Sequence, residues 1–244
     1  MRNLLLFLTI VAIAGAIWYL QTLRPPRSSV GPGVAITLAP GSGVGTLNAA
    51  EIENIRAQKA GQYPRAVEIV NPSGFINTAP MKLADIIGTK IIMIDFWTYS
   101  CINCQRTTPY LNAWYKKYKD AGLEIVSIHT PEFDFEKKYD NVLAAVKKFE
   151  IMYPVILDND YGTWSAYGNR YWPHKYLIDI DGYIVYDHIG EGAYDETERV
   201  IQKLLQEKML RTGSATKIGS DLASPPPVDV PRAGKPGNIF WCGP

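Results

Sequence analysis

Ile94-Asp95-Phe96-Trp97-Thr98-Tyr99-Ser100-Cys101-Ile102-Asn103-Cys104-Gln105-Arg106-Thr107-Thr108 holds two of the chain's three cysteines, two residues apart, where an apolar strand gives way to a helix. That setting separates a redox dithiol from half of a zinc knuckle. The apolar run 91–94 is interrupted by Asp95 and resumed by Phe96 and Trp97, as in a strand buried on both faces. Ser100 suits a helix N-cap, which places Cys101 in the first turn of an amphipathic stretch reaching about Lys119. A thiol there meets unpaired N–H groups and the positive end of the helix dipole, so its thiolate is stabilised. Cys104, one turn on, is placed to close a disulfide with Cys101 and reopen it by exchange. Cys101 is therefore the expected nucleophile and Cys104 the shielded, less acidic partner.

Working outward, residues 67–70 and 74–77 read as two short strands joined by Asn71-Pro72-Ser73. Residues 123–129 read as a second central strand, 136–149 as a helix with Val142, Ala145, Val146 and Phe149 on one face, and 153–157 as a strand. A short helix at 162–167 precedes two strands, 175–180 and 183–189, joined by the hairpin signal Asp181-Gly182. Residues 195–210 form a last helix with Val200, Ile201, Leu204 and Leu205 inward. The order implies an α/β fold: a mixed central sheet flanked by helices, with an N-terminal β extension and a helical insertion. The domain is bounded at 65–212.

Before it, residues 4–20 carry no charge, and Trp18 and Tyr19 close the run as an aromatic belt would. Ala12-Ile13-Ala14 is an acceptable cleavage site, but the apolar run continues beyond it, so residues 1–23 read as a transmembrane anchor in preference to a signal. Residues 24–64 read as a linker. Within it Asn48-Ala49-Ala50-Glu51 can form a capping box for a short helix that Gly61 stops. Residues 213–244 form a Pro/Gly-rich tail containing Cys242. Net charge is +1 with no Lys/Arg block, which argues against a nucleic-acid partner.

Asp95 lies in an apolar strand, where burial raises its pKa and suits it to relay a proton to or from Cys104. Pro173 begins a strand, one of the few places a sheet admits proline. Trp97, Tyr99, Tyr171 and Trp172 are candidates for an apolar rim. His174, next to Pro173, is expected near the dithiol, whereas His129 and His188 read as structural or surface residues.

These residues resemble the thioredoxin superfamily at fixed offsets. Cys101 and Cys104 match the attacking and resolving thiols, Asp95 the buried acid, Pro109 the proline in the active-site helix, and Trp172-Pro173 the cis-proline position. His129-Thr130-Pro131-Glu132-Phe133 and Trp172-Pro173-His174-Lys175-Tyr176-Leu177-Ile178-Asp179 resemble the membrane-associated TlpA/ResA branch, and read like the C-terminal thioredoxin domain of DipZ. The resemblance implies a thioredoxin-like fold with no cofactor. It further implies a membrane-anchored thiol–disulfide oxidoreductase whose domain lies outside the cytoplasm. Its partners would be protein thiols and disulfides, with a membrane electron donor of the CcdA type. Trp97, Trp172 and Pro173 would then contact substrate, the Trp172 backbone pairing with an extended segment if its peptide bond to Pro173 is cis. One departure is Thr107, where ResA-like reductases carry an acid three residues after the second cysteine.

The alternatives are a thioredoxin-fold metal carrier or binding module and a peroxiredoxin-like peroxidase. No second CxxC or HxxxH completes a zinc site, and copper carriers of this fold space their cysteines by three residues. Thr98-Tyr99-Ser100-Cys101 matches the end of the peroxiredoxin motif, but Ile94 stands where its proline belongs.

Overall fold

The computed structural model describes residues 46–214 and 218–225. The expected anchor at 1–23, the tether at 24–45 and the tail segment with Cys242 lie outside the described residues. Among the described residues, no helix is long and apolar enough to cross a membrane.

The elements are α1 (Ala49–Gln62), β1 (Gly74–Ile76), β2 (Ile91–Trp97), α2 (Ile102–Tyr118), β3 (Leu123–His129), α3 (Tyr139–Lys148), β4 (Val155–Leu157), α4 (Gly162–Ala166), β5 (His174–Ile178), β6 (Ile184–Ile189) and α5 (Tyr194–Thr212). They build one six-stranded sheet in the order β1-β4-β3-β2-β5-β6. β2 runs parallel to β3, and β3 to β4; the β2–β5, β5–β6 and β1–β4 pairs are antiparallel. β2 is central and buried along its whole length, which explains its unbroken apolar run. Phe96 turns to Trp164, Tyr167 and Tyr176 on one face of the sheet. Asp95 belongs to the other face by strand alternation.

α2 and α5 are joined by a buried carboxylate. Glu198 accepts from Trp114 Nε1 at 3.0 Å and from the Tyr118 hydroxyl at 2.6 Å. It also accepts from the Ala223 amide, which draws the segment after α5 back onto the helices.

Several elements differ from expectation. Residues 67–70 form no strand: the chain makes one isolated bridge, Arg65 to Tyr183, and the Val70 amide is satisfied by Thr163 Oγ1 instead of a ladder. The span 136–149 divides into a 3-10 turn at Asp134–Lys137 and α3, because Glu136 turns inward to accept backbone bonds. The Asp181-Gly182 hairpin is wider than two residues, since Asp179 Oδ1 accepts from the amides of Asp181 and Tyr183 and caps the turn.

α1 occupies the second part of the expected linker. Its capping box is complete: Asn48 Oδ1 accepts from the Glu51 amide, and Glu51 returns to the Asn48 amide. The helix runs past Gly61 and has only a weak apolar face, so ion pairs dock it. Lys59, 3% exposed, places its ammonium 2.6 Å from both Asp179 Oδ2 and Glu207 Oε1. Arg211 pairs with Asp181 and Glu207 beside it, each at 2.6 Å.

Candidate active site

The loop after β2 carries the dithiol, and two side chains hold it. Gln105 Nε2 donates to the Tyr99 carbonyl at 2.9 Å. Ser100 is not the helix cap; its hydroxyl and amide both donate to Glu136 Oε1, at 2.6 and 3.3 Å. The N-cap is Cys101, with extended φ −68° and ψ 119°, so its sulfur sits at the start of α2 ahead of the first turn. Glu136 is fully buried and also accepts from the amides of Glu132 and Phe133, at 2.6 and 3.0 Å. Burial pushes its carboxyl up, but bonds from Ser100, Thr98 and those amides outweigh this and hold its pKa below the ordinary value. Loop 131–137 and the dithiol loop are thus tied through one carboxylate.

Cys101 and Cys104 are thiols, 3% and 1% exposed. The difference in shielding expected between them is therefore small. On β2, the strand that leads to them, Asp95 is 4% exposed. Burial drives its pKa up to about 6, against the lowering effect of Lys175 and of the Ser127 hydroxyl, which donates to Oδ2 at 3.3 Å. Asp95 Oδ1 has no protein donor.

The Trp172-Pro173 peptide is cis. Since Phe96 pairs with His174 in the β2–β5 ladder, this loop lies at the same end of the sheet as the loop carrying Cys101. The Pro173 carbonyl accepts from the Gly190 amide at 2.7 Å.

The rim differs from expectation. The Trp97 and Trp172 side chains are 2% and 1% exposed, the first set edge-on against His129 and the second packed on Trp164 at 4.2 Å. Both rings are core, whereas Tyr99 and Tyr171, the other two candidates for the rim, are partly exposed. Ile102, Phe133 and Phe135 are the exposed apolar side chains near the dithiol loop. The two phenylalanines stack with centroids 5.4 Å apart, and Phe135 meets Tyr99 edge-on. A recess of about 500 Å³ lined by Tyr99, Ser100, Gln105, Asn141, Lys148 and Phe149 opens beside the loop.

His174 does not turn to the dithiol. It packs tilted against Tyr176 and bonds to Asn169 and Asp187, on the Phe96 side of the sheet, because strand alternation sends it opposite to Asp95. His129, read as structural or surface, is buried and stacks on Tyr99 of the dithiol loop, and burial pushes its pKa down to about 4. Sequence reasoning also missed Glu136 and Lys175. Lys175 is fully buried and lies across from Asp95 in the ladder, and only the β2–β5 register reveals it.

Among the described residues, one acidic group could hold a cation: Asp179, Asp181 and Glu207, with ligand atoms within 4.8 Å of one another. The Lys59 ammonium stands against it and belongs to the docking of α1. The dithiol belongs to no such group.

The AhpC/TSA family model matches residues 65–187. The chain is 44% identical over 181 residues to protein DipZ of Mycobacterium tuberculosis, covering 73% of this chain and 26% of DipZ. It therefore spans about a quarter of that relative's length. It is 32% identical over 124 residues to the thiol-disulfide oxidoreductase ResA of Bacillus cereus, covering 51% of this chain and 68% of ResA. Among solved structures, a thioredoxin-like protein in its oxidized form superposes with a TM-score of 0.55 at 24% identity, covering 59% of this chain and 97% of that one. A putative thiol:disulfide interchange protein DsbE from Chlorobium tepidum gives 0.52 at 24% identity, covering 59% and 96%. With a sheet, dithiol and cis-proline arranged as described and the family model spanning half its length, the chain belongs to the AhpC/TSA family, with a thioredoxin-like domain related to DipZ and ResA.

Proposed function

We propose that this domain exchanges disulfides with protein substrates, Cys101 attacking and Cys104 resolving. The observation that carries the reading is the thiol pair at the opening of α2, with Asp95 buried in the strand that leads to it and the cis-proline loop at the same end of the sheet. In the reducing direction the Cys101 thiolate attacks one substrate sulfur, forming a mixed disulfide and releasing the other sulfur as a thiolate. Cys104 then gives its proton to Asp95 and attacks Cys101 Sγ. The Cys101–Cys104 bond forms, the second substrate sulfur leaves, and two electrons have passed to the substrate. The backbone at Trp172 would pair with an extended substrate segment. Ile102, Phe133 and Phe135 offer apolar contact for residues flanking its cysteine. The apolar run 4–20 favours a membrane-held domain with substrates outside the cytoplasm, resupplied by a membrane donor of the CcdA type.

The test is Cys104→Ser in the full chain, incubated with a disulfide-bonded protein such as insulin. A mixed disulfide should accumulate on a non-reducing gel and vanish in Cys101→Ser/Cys104→Ser. No adduct would overturn the exchange reading. Peroxide consumption sustained by Cys104→Ser would favour the peroxidase instead.

A further inference from the structure

A lysine with no solvent contact is costly unless its charge has work to do. Lys175 on β5 is 0% exposed, and its Cα partner in the antiparallel β2–β5 ladder is Asp95. Both side chains therefore leave the same face of the sheet. The groups acting electrostatically on the ammonium are Asp95 from β2, Cys104 from α2 and Glu191 from the turn after β6. His188 of β6 and neighbouring His174 feel its charge in turn. Tyr153 ahead of β4 feels the charge of Asp95, and Arg106 of α2 holds Glu191 at 3.5 Å.

The ammonium has a fixed anchor. Its Nζ donates to the Gly190 carbonyl at 3.0 Å, while the amide of the same glycine donates to Pro173 at 2.7 Å. Gly190 has φ +85°, a conformation that favours glycine and lets one residue serve both directions. Lys175 is thereby anchored beside the cis-proline loop on the strand position paired with Asp95.

We infer that Lys175 is a positioning residue for the resolving half of exchange: its buried ammonium keeps Asp95 ionised, able to take the Cys104 proton, and stabilises the Cys104 thiolate that then attacks the mixed disulfide. The inference rests on the exchange reading above. Desolvation lowers the Lys175 pKa to about 8, with Asp95 and Cys104 opposing the fall, so the ammonium is present at neutral pH and is lost in mildly alkaline solution. The step balances: Cys104 S–H loses its proton to Asp95, the Cys104–Cys101 bond forms, and the Cys101–substrate bond breaks. The leaving sulfur keeps the electron pair and is protonated from Asp95 or solvent.

The experiment separates this role from simple stabilisation. In full-length Cys101→Ser protein, the Cys104 thiolate is titrated by absorbance near about 240 nm, with and without Lys175→Met. A nearby cation is worth about one to three units to an anion, so Lys175→Met should cut the Cys104 thiolate fraction at neutral pH at least about tenfold. Lys175→Arg should restore most of it. With both cysteines present, Lys175→Met should lengthen the mixed-disulfide lifetime by a similar factor and leave the Cys101 attack rate unchanged. An unaltered Cys104 titration in folded Lys175→Met overturns the inference. If Lys175→Met does not fold, Asp95→Asn/Lys175→Met, which removes both buried charges, is compared with Asp95→Asn. A lower thiolate fraction in the double variant supports the role, and equal fractions overturn it. Absence of any Cys101 adduct would instead overturn the exchange reading, which this titration does not depend on.

Discussion

Asp95→Asn should change the pH dependence of stability in a direction opposite to that of most acids. Burial raises the Asp95 pKa from 3.8 to about 6 in the folded chain. The folded state therefore holds its proton more tightly than the unfolded state. Below about pH 4 both states are protonated and the group costs nothing; as pH rises through about 6 the folded state must ionise a buried carboxyl, and stability is lost. The shift of about two units corresponds to about 3 kcal/mol in all, of which about 2 kcal/mol falls between about pH 4.5 and about pH 7. In the parent, Lys175, with its pKa at about 8, stays charged across that window. Urea unfolding of the parent and of Asp95→Asn, reduced and followed by tryptophan fluorescence, gives the difference curve. The parent should lose about 2 kcal/mol relative to the variant as pH rises across that range. A flat difference, or one sloping the other way, would refute the claim that Asp95 is a buried acid with a raised pKa.

Lys59→Met should destabilise the chain by about 3 kcal/mol, because it leaves Asp179 Oδ2 buried without its cation, while Glu207 keeps Arg211; the urea midpoint and proteolysis within α1 both report it. Glu136→Ala removes the acceptor of the Ser100, Glu132 and Phe133 amides. A loss of about 2–4 kcal/mol and faster hydrogen exchange at those amides are expected. Its carboxyl is held below the ordinary value, so its contribution is present above about pH 4.5 and fades as pH falls through the lower folded pKa. Gly162→Ala would bring a Cβ to 2.6 Å from the Val70 carbonyl oxygen. A fall in thermal midpoint corresponding to about 1–3 kcal/mol should follow.

The dithiol, the strand that leads to it and the buried acid were legible in sequence because each is a local pattern: an apolar run, one interrupting Asp95, a Cys pair at the helix start. The α1 capping box was legible for the same reason. Lys175 was not, since its place in His174-Lys175-Tyr176 matches a solvent-facing position of an alternating strand. Only the antiparallel pairing with β2, a contact 80 positions apart in the chain (175 − 95), sets it opposite Asp95. Glu136 escaped notice in a charge-rich segment where acids ordinarily face water. The tryptophan half of the expected aromatic rim failed for a related reason. Trp97 and Trp172 lie close to Cys101 in sequence or by family position, yet their size makes them fillers of the sheet face, and the exposed apolar surface falls to Ile102, Phe133 and Phe135.

The docking of α1 gives the molecule a direction. Lys59 fastens that helix to Asp179, just beyond the far end of β5, and the Leu47 amide bonds to the Leu210 carbonyl at 2.8 Å. The dithiol loop leaves the opposite end of the sheet, one length of β2 away, about 20 Å for its seven residues. Leu47 and Lys59 thus mark one pole of the domain and the dithiol loop the other, so the described chain enters the fold at the end of the sheet remote from its thiols.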